Sequence, residues 1–187
     1  MQNVMVDIET LGNGPQAPML TIAAVFFDLK TGEVGPSFYT VIDLVSELEL
    51  GAKPDADTIY WWLAQNDAAR AAVTAKPRER NVDALKRLGG FIQSHCSDLD
   101  RVQVWGNGST FDNTILRSGY QRCGVKPFWV FWNDCDVRTI VKAGLDIGFN
   151  PKKELPFVGE KHNALDDAIH QVKYVSAIWQ KITFPRI

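Results

Sequence analysis

From Asn3 to Glu9 the chain alternates. Val4, Val6 and Ile8 fall on one side of an extended segment, and Met5, Asp7 and Glu9 on the other. A period of two predicts a strand, and Leu11-Gly12-Asn13-Gly14-Pro15 stops it. Leu20–Asp28 is an apolar run rich in β-branched and aromatic residues, which predicts a buried strand. Thr31-Gly32 marks a turn, and Phe38–Asp43 reads as a third strand. Three strands on short connections predict an antiparallel meander.

The period then lengthens. Asp55 and Asp57 are cap candidates ahead of a helix over Thr58–Gln65, and a second short helix spans Asp67–Ala75 before Pro77. Val82, Leu85, Leu88, Ile92 and Cys96 recur at helical spacing. Arg101–Trp105 reads as a strand ending in Gly106-Asn107-Gly108. A helix from about Asp112 follows, with Ile115, Leu116, Gly119, Tyr120 and Cys123 on one face. Trp129–Trp132 reads as the fifth strand, then a helix runs through Thr139–Ala143. Leu145–Lys161 holds two prolines and two glycines and reads as a mobile loop. The last helix starts at Asn163, with Leu165, Ala168, Ile169, Val172 and Trp179 on one face. The order predicts an α/β fold: a mixed five-stranded sheet with an antiparallel three-strand start and helices on both faces.

Composition narrows the class. A chain of 187 residues, 45% hydrophobic and 22% charged, builds a packed core and suits one domain over 1–187. No apolar run approaches the ~18 residues of a membrane span. Met1-Gln2-Asn3 lacks a basic n-region, and Asp7 and Glu9 interrupt any apolar stretch behind it, so no signal peptide is expected. Cys96, Cys123 and Cys135 form no even disulfide set and no CxxC, which predicts reduced thiols in a cytoplasmic protein. A net charge of −2 argues against binding nucleic acid by bulk electrostatics. It does not exclude an enzyme that meets phosphate through bound metal ions.

Three groups of carboxylates carry the chemical signal. Asp7 and Glu9 share a face at the end of the first strand. Adjacent carboxylates repel unless a cation lies between them, although they also suit a strand end entering solvent. Asp112 opens a helix after a glycine-containing loop, where it is equally suited to be an N-cap. In His162-Asn163-Ala164-Leu165-Asp166-Asp167, Asn163 is the cap, with His162 just outside the helix and Asp167 about one turn inside. Asp166 and Asp167 also suit the helix dipole. Taken together, four carboxylates from three separate elements are what a pair of hard divalent ions requires, and His162 supplies a base.

This constellation resembles the DEDDh 3′–5′ exonucleases, the DnaQ-like or RNase T-like group on the ribonuclease H-like fold. Its first motif, Asp-x-Glu-Thr, stands as Asp7-Ile8-Glu9-Thr10. Its second acid matches Asp112, and its His-x-Ala-x-x-Asp motif matches His162 through Asp167. Ile59-Tyr60-Trp61-Trp62-Leu63 and Trp105-Gly106-Asn107-Gly108 through Phe111-Asp112-Asn113 are similar to the small stand-alone enzymes of that group. These include phage and prophage exodeoxyribonuclease VIII-like proteins and a mycobacterial-type exoribonuclease.

The resemblance implies in-line hydrolysis of a terminal phosphodiester. Two divalent ions, Mg²⁺ or Mn²⁺, would be held by Asp7, Glu9, Asp112 and Asp167, with His162 as general base. It places Thr10, Leu11, Trp61, Trp62, Asn107 and Phe111 against the substrate, Leu11 as a wedge at the last base. Of the two tryptophans, at most one can face the core fully, because neighbours on a helix point about 100° apart. Lys152, Lys153 and Lys161 are phosphate-binding candidates or simply a solvated loop.

The implied partner is single-stranded DNA or RNA with a 3′ end, DNA preferred, with nucleoside monophosphates as products. No membrane partner is implied, and a homodimer is compatible. Two other readings stand beside this one: an exoribonuclease or oligoribonuclease on the same site, and a non-catalytic nucleic-acid-binding module.

Overall fold

The computed structural model describes residues 1–184. At its centre β1 (Asn3–Thr10) pairs antiparallel with β2 (Met19–Phe27), which pairs antiparallel with β3 (Val34–Val41). On its other side β1 pairs parallel with β4 (Gln103–Gly106), and β4 pairs parallel with β5 (Asp134–Asp136). The order β3-β2-β1-β4-β5 makes the expected mixed five-stranded sheet.

The alternation in β1 divides two cores. Val4, Val6 and Ile8 pack with Leu85, Leu88 and Ile92 of α4 (Asn81–His95) and with Ile115 and Leu116 of α5 (Asp112–Arg122). On the opposite face Met5 joins Val25, Phe27 and Trp105. These meet Val137 of α6 (Val137–Asp146) and Ala168, Val172 and Val175 of α8 (Ala164–Thr183). Val4, Met5 and Val6 are all fully buried because helices cover both sides. By strand period Asp7 and Glu9 continue the Met5 face, which α8 covers.

A third cluster stands beside the end of β1. Leu20, Trp62, Ala69 and Val73 are its buried residues, with Leu11 and Leu44 packed against it. It joins α1 (Leu44–Glu49), α2 (Ala56–Leu63) and α3 (Asp67–Thr74) to the sheet. Asp55 caps α2 by accepting from the Thr58 N–H at 2.9 Å.

Four sequence-based assignments change. The fifth strand is not Trp129–Trp132 but Asp134–Asp136. Trp129 is buried as a side chain against Tyr120 and Phe128, whereas Phe131 and Trp132 are exposed in a short 3-10 turn. An aromatic-rich run reads alike whether its backbone pairs or only its rings pack. The helix at Thr139–Ala143 runs the full Val137–Asp146. The segment Leu145–Lys161 is not all loop, since it contains the end of α6 and the short α7 (Pro151–Glu154). Helix α1 went unread because Val45, Leu48 and Leu50 are exposed while Ser46 and Glu47 are buried, the reverse of the usual pattern. Glu47 survives there by pairing with Arg122 of α5 at 2.7 Å.

Gly106, at the end of β4, sets how closely α5 approaches the sheet. A Cβ there would fall inside contact distance of the Asn113 Oδ1 and 2.9 Å from the Asp112 Cβ. Asn113 has no room to yield, because its Nδ2 donates to the Val104 carbonyl at 2.9 Å and to Asp134 Oδ1 at 3.0 Å. Gly106→Ala is expected to destabilise the fold by about 1–3 kcal/mol through overpacking. Urea unfolding measures this, and an unchanged midpoint would contradict the close approach.

Candidate active site

Asp7 and Glu9 stand on one face at the end of β1. Helix α8 crosses that face, and Gln171 Nε2 donates to Asp7 Oδ1 at 2.7 Å. Asp112 is only 2% exposed. It is not the N-cap of α5: Phe111 holds that position without a side-chain bond. The Asp112 Oδ1 instead accepts from the Ile8 N–H of β1 at 3.3 Å, and its Oδ2 is buried with no partner. The residue therefore serves the sheet end and the cleft, not its own helix.

The start of α8 supplies the remaining groups. Asn163 caps the helix by accepting from the Leu165 and Asp166 N–H groups. His162, just before it, has a φ of 65°, a left-handed conformation uncommon for a non-glycine residue. Its backbone N–H donates to Asp167 Oδ2 at 2.8 Å, which holds the Asp167 carboxylate against the turn that carries His162. Asp166 turns elsewhere and accepts from the Glu160 N–H at 2.8 Å. Glu9, His162 and Asp167 each offer one ligand atom, and these atoms lie within 4.8 Å of one another.

Convergence has an electrostatic consequence. Burial, with the neighbouring charges of Asp112, Glu9 and Asp167, pushes the Asp7 carboxyl well above the usual carboxylate range. Burial and the Asp167 and Asp112 charges push Glu9 up to about 8. Burial also raises Asp112 to about 7, against backbone hydrogen bonds and the Arg138 charge that oppose it. Asp167 is raised by burial as well. Recessed acids that disfavour their own ionised form, one with an unpartnered oxygen, fit a hard divalent cation.

Two clefts meet at Ile8, Glu9 and Phe111. One, of about 250 Å³, holds the acids, His162, Gln171, Asn107 and Arg138. The other, of about 390 Å³, is lined by Thr10, Asn13, Asp57, Thr58, Trp61 and Trp62. The two tryptophans divide their work. Trp62 is 6% exposed and donates its Nε1–H to the Thr10 carbonyl at 2.8 Å, anchoring the third cluster to β1. Trp61 is 42% exposed and stands edge-on to His162, ring centres 5.0 Å apart.

The structure thus brings together Asp7, Glu9, Asp112, His162 and Asp167, with Thr10, Trp61, Asn107 and Phe111 beside them. Leu11 does not line either cleft, because it packs against the Leu20–Trp62 cluster. Lys152, Lys153 and Lys161 also line neither cleft, and Lys152 sits 5.8 Å from the Tyr174 ring. The cation at the acids is Arg138 of α6, which the sequence reading missed. Its only signal is local: Asp136 caps α6 through the Thr139 N–H at 2.8 Å, which places Arg138 in the first turn.

The fold has known counterparts. It matches the nuclease domain of 3′hExo, a DEDDh family member bound to rAMP, with a TM-score of 0.60, 16% identity and coverage of 96% of this chain and 92% of that one. It matches E. coli exonuclease I in complex with a dA16 oligonucleotide with a TM-score of 0.63 and 16% identity, over 98% of this chain but 41% of that one. Among curated proteins, the exodeoxyribonuclease of Enterobacteria phage T4 is 25% identical over 164 residues, covering 76% of this chain and 72% of that protein. The model of the Rv2179c-like 3′-5′ exoribonuclease domain matches residues 2–179. Fold and sequence together define a 3′–5′ exonuclease of the DEDDh class on the ribonuclease H-like fold. Within that class, the chain belongs to the Rv2179c-like 3′-5′ exoribonuclease domain family.

The raised carboxyls give a pH signature. Their folded values lie above the unfolded ones, so the stability they contribute is present below about pH 4 and is lost as pH rises through about 7 to 8. In EDTA, the melting temperature of the wild type is expected to fall between about pH 5 and about pH 9 relative to that of Glu9→Gln, which has one titrating site fewer. Added divalent metal should remove most of the difference. A difference independent of pH in EDTA would contradict the raised values.

Proposed function

We propose that the chain acts as one exonuclease domain. It removes nucleoside monophosphates from the 3′ end of single-stranded nucleic acid, with DNA preferred. The observation that carries this reading is the convergence of Asp7, Glu9, Asp112 and Asp167 with His162 at the meeting of two clefts. In it, the four carboxylates would hold two divalent ions, Mg²⁺ or Mn²⁺. When bound, these supply Lewis-acid stabilisation of the phosphate charge and an acidified water.

The chain's own groups do the positioning. Gln171 orients Asp7, the Ile8 N–H orients Asp112, and the His162 N–H orients Asp167. His162 takes the proton of the attacking water through its imidazole. The terminal nucleoside occupies the larger cleft, where Trp61 offers an exposed ring for base stacking and Asn13 and Thr58 offer polar groups. Base–aromatic stacking of this kind contributes about 1–3 kcal/mol. Single strands are favoured because fraying each terminal pair costs about 1.4 kcal/mol, and a chain of net charge −2 has little with which to clamp a duplex.

The likeness to a phage exodeoxyribonuclease supports DNA. The family's description as an exoribonuclease domain supports RNA as the second reading, in which a polar group of the larger cleft bonds the 2′-hydroxyl. Matched 5′-labelled DNA and RNA oligomers, single-stranded and blunt duplex, test all of this with Mg²⁺, Mn²⁺ or EDTA. The expected result is metal-dependent shortening from the 3′ end, faster on single strands and faster on DNA. Cuts within a circular strand or full activity in EDTA would overturn the mechanism, whereas faster RNA decay would overturn only the sugar.

His162→Ala should lower kcat by roughly 10²–10⁴ while metal binding is largely kept. A variant with near wild-type kcat would place the base elsewhere.

A further inference from the structure

Arg138 has no task in the reaction described so far, yet it faces the acids. It is exposed and, among the described residues, has no ion-pair partner. Its guanidinium lies across Gly108: the Cζ, Nε and Nη1 sit 3.2, 3.4 and 3.5 Å from where a Cβ would be. Gly108 has a φ of +114° and no side chain, so the arginine can rest over the loop that carries Asn107. Asp136 locks this arrangement from below. Its two oxygens accept from the Ser109 N–H of that loop and the Thr139 N–H of the helix bearing Arg138, both at 2.8 Å.

The position of Arg138 selects its ligand. It lines the cleft of the acids and not the larger cleft with Trp61, and the two share only Ile8, Glu9 and Phe111. With the terminal nucleoside in the larger cleft and the scissile phosphate at the acids, Arg138 is the lysine-or-arginine side chain that lines the acid cleft and is left to meet the rest of the strand. We infer that Arg138, seated over Gly108, binds the phosphate immediately upstream of the scissile one and so makes the enzyme favour chains over dinucleotides. The inference rests on the exonuclease reading of the acid cleft. A guanidinium suits the task because it grips phosphate through two parallel N–H bonds while a flexible strand slides past.

The test crosses one protein change with one substrate change. The substrate is an oligonucleotide of the accepted sugar whose second linkage from the 3′ end is a neutral methylphosphonate, with the last linkage left as phosphate. On the wild type this replacement is expected to lower kcat/KM by roughly tenfold, mainly through KM. Arg138→Ala should lose a similar factor on the all-phosphate strand and then lose nothing further on the methylphosphonate strand. Arg138→Lys should keep part of the coupling, because charge remains but the fork is gone. Additive losses in Arg138→Ala would overturn the inference, since independent effects show no coupling. An unchanged kcat/KM for Arg138→Ala on the all-phosphate strand would overturn it too. Failure of the exonuclease reading looks different: the wild type would not shorten the unmodified strand from its 3′ end at all.

Discussion

Four carboxylates that repel one another are held in one recess, and much of this structure answers to that constraint. Burial and the charges of Asp167 and Asp112 push Glu9 to about 8, and burial holds Asp112 at about 7 against the hydrogen bonds and the Arg138 charge that oppose it. Left to themselves, such side chains would rotate into water. Three of them are tied in place: Asp7 by Gln171 of α8, Asp112 by a backbone N–H of β1, and Asp167 by the N–H of His162. The site thus carries an electrostatic cost that a bound cation would offset.

Those ties require close approach of elements far apart in the chain. Parallel pairing of β1 and β4 places the start of α5 beside the end of β1, and Gly106 leaves the space into which Asp112 and Asn113 pack. Asp134 holds the neighbouring turn from the other side, accepting from Asn113, Arg117 and Trp129. Asp136, at the other end of the same short strand, pins the Asn107–Ser109 loop and caps α6. Strand β5 is three residues long, yet its two terminal carboxylates determine where α5, the loop and Arg138 stand.

A similar division of labour appears among the aromatics. Trp62 spends its ring on the third cluster and its N–H on the Thr10 carbonyl, and so fixes the wall of the larger cleft. Trp61, one residue earlier, stays half in solvent with its ring nearly perpendicular to that of His162. In the proposed reading, the stacking surface and the proton acceptor are therefore neighbours.

Much of this was legible from residue pattern. Period two over Asn3–Glu9 gave β1 and put Asp7 and Glu9 on one face, because side-chain direction in a strand is a local property. The long amphipathic run after Asn163 gave α8 and its cap for the same local reason, and motif spacing singled out Asp167 over Asp166. What pattern could not supply was anything that depends on contact between distant segments. Rings that pack without backbone pairing made Trp129–Trp132 look like a strand, and a buried Glu47–Arg122 pair hid α1. Asp112 was indistinguishable from a helix cap until the Ile8 N–H lay 3.3 Å from it. Arg138, an ordinary first-turn residue in sequence, became the cation of the acid cleft only because the sheet brings β4 and β5 side by side. Local periodicity determines which way a side chain points. The long-range register of the sheet decides what it points at.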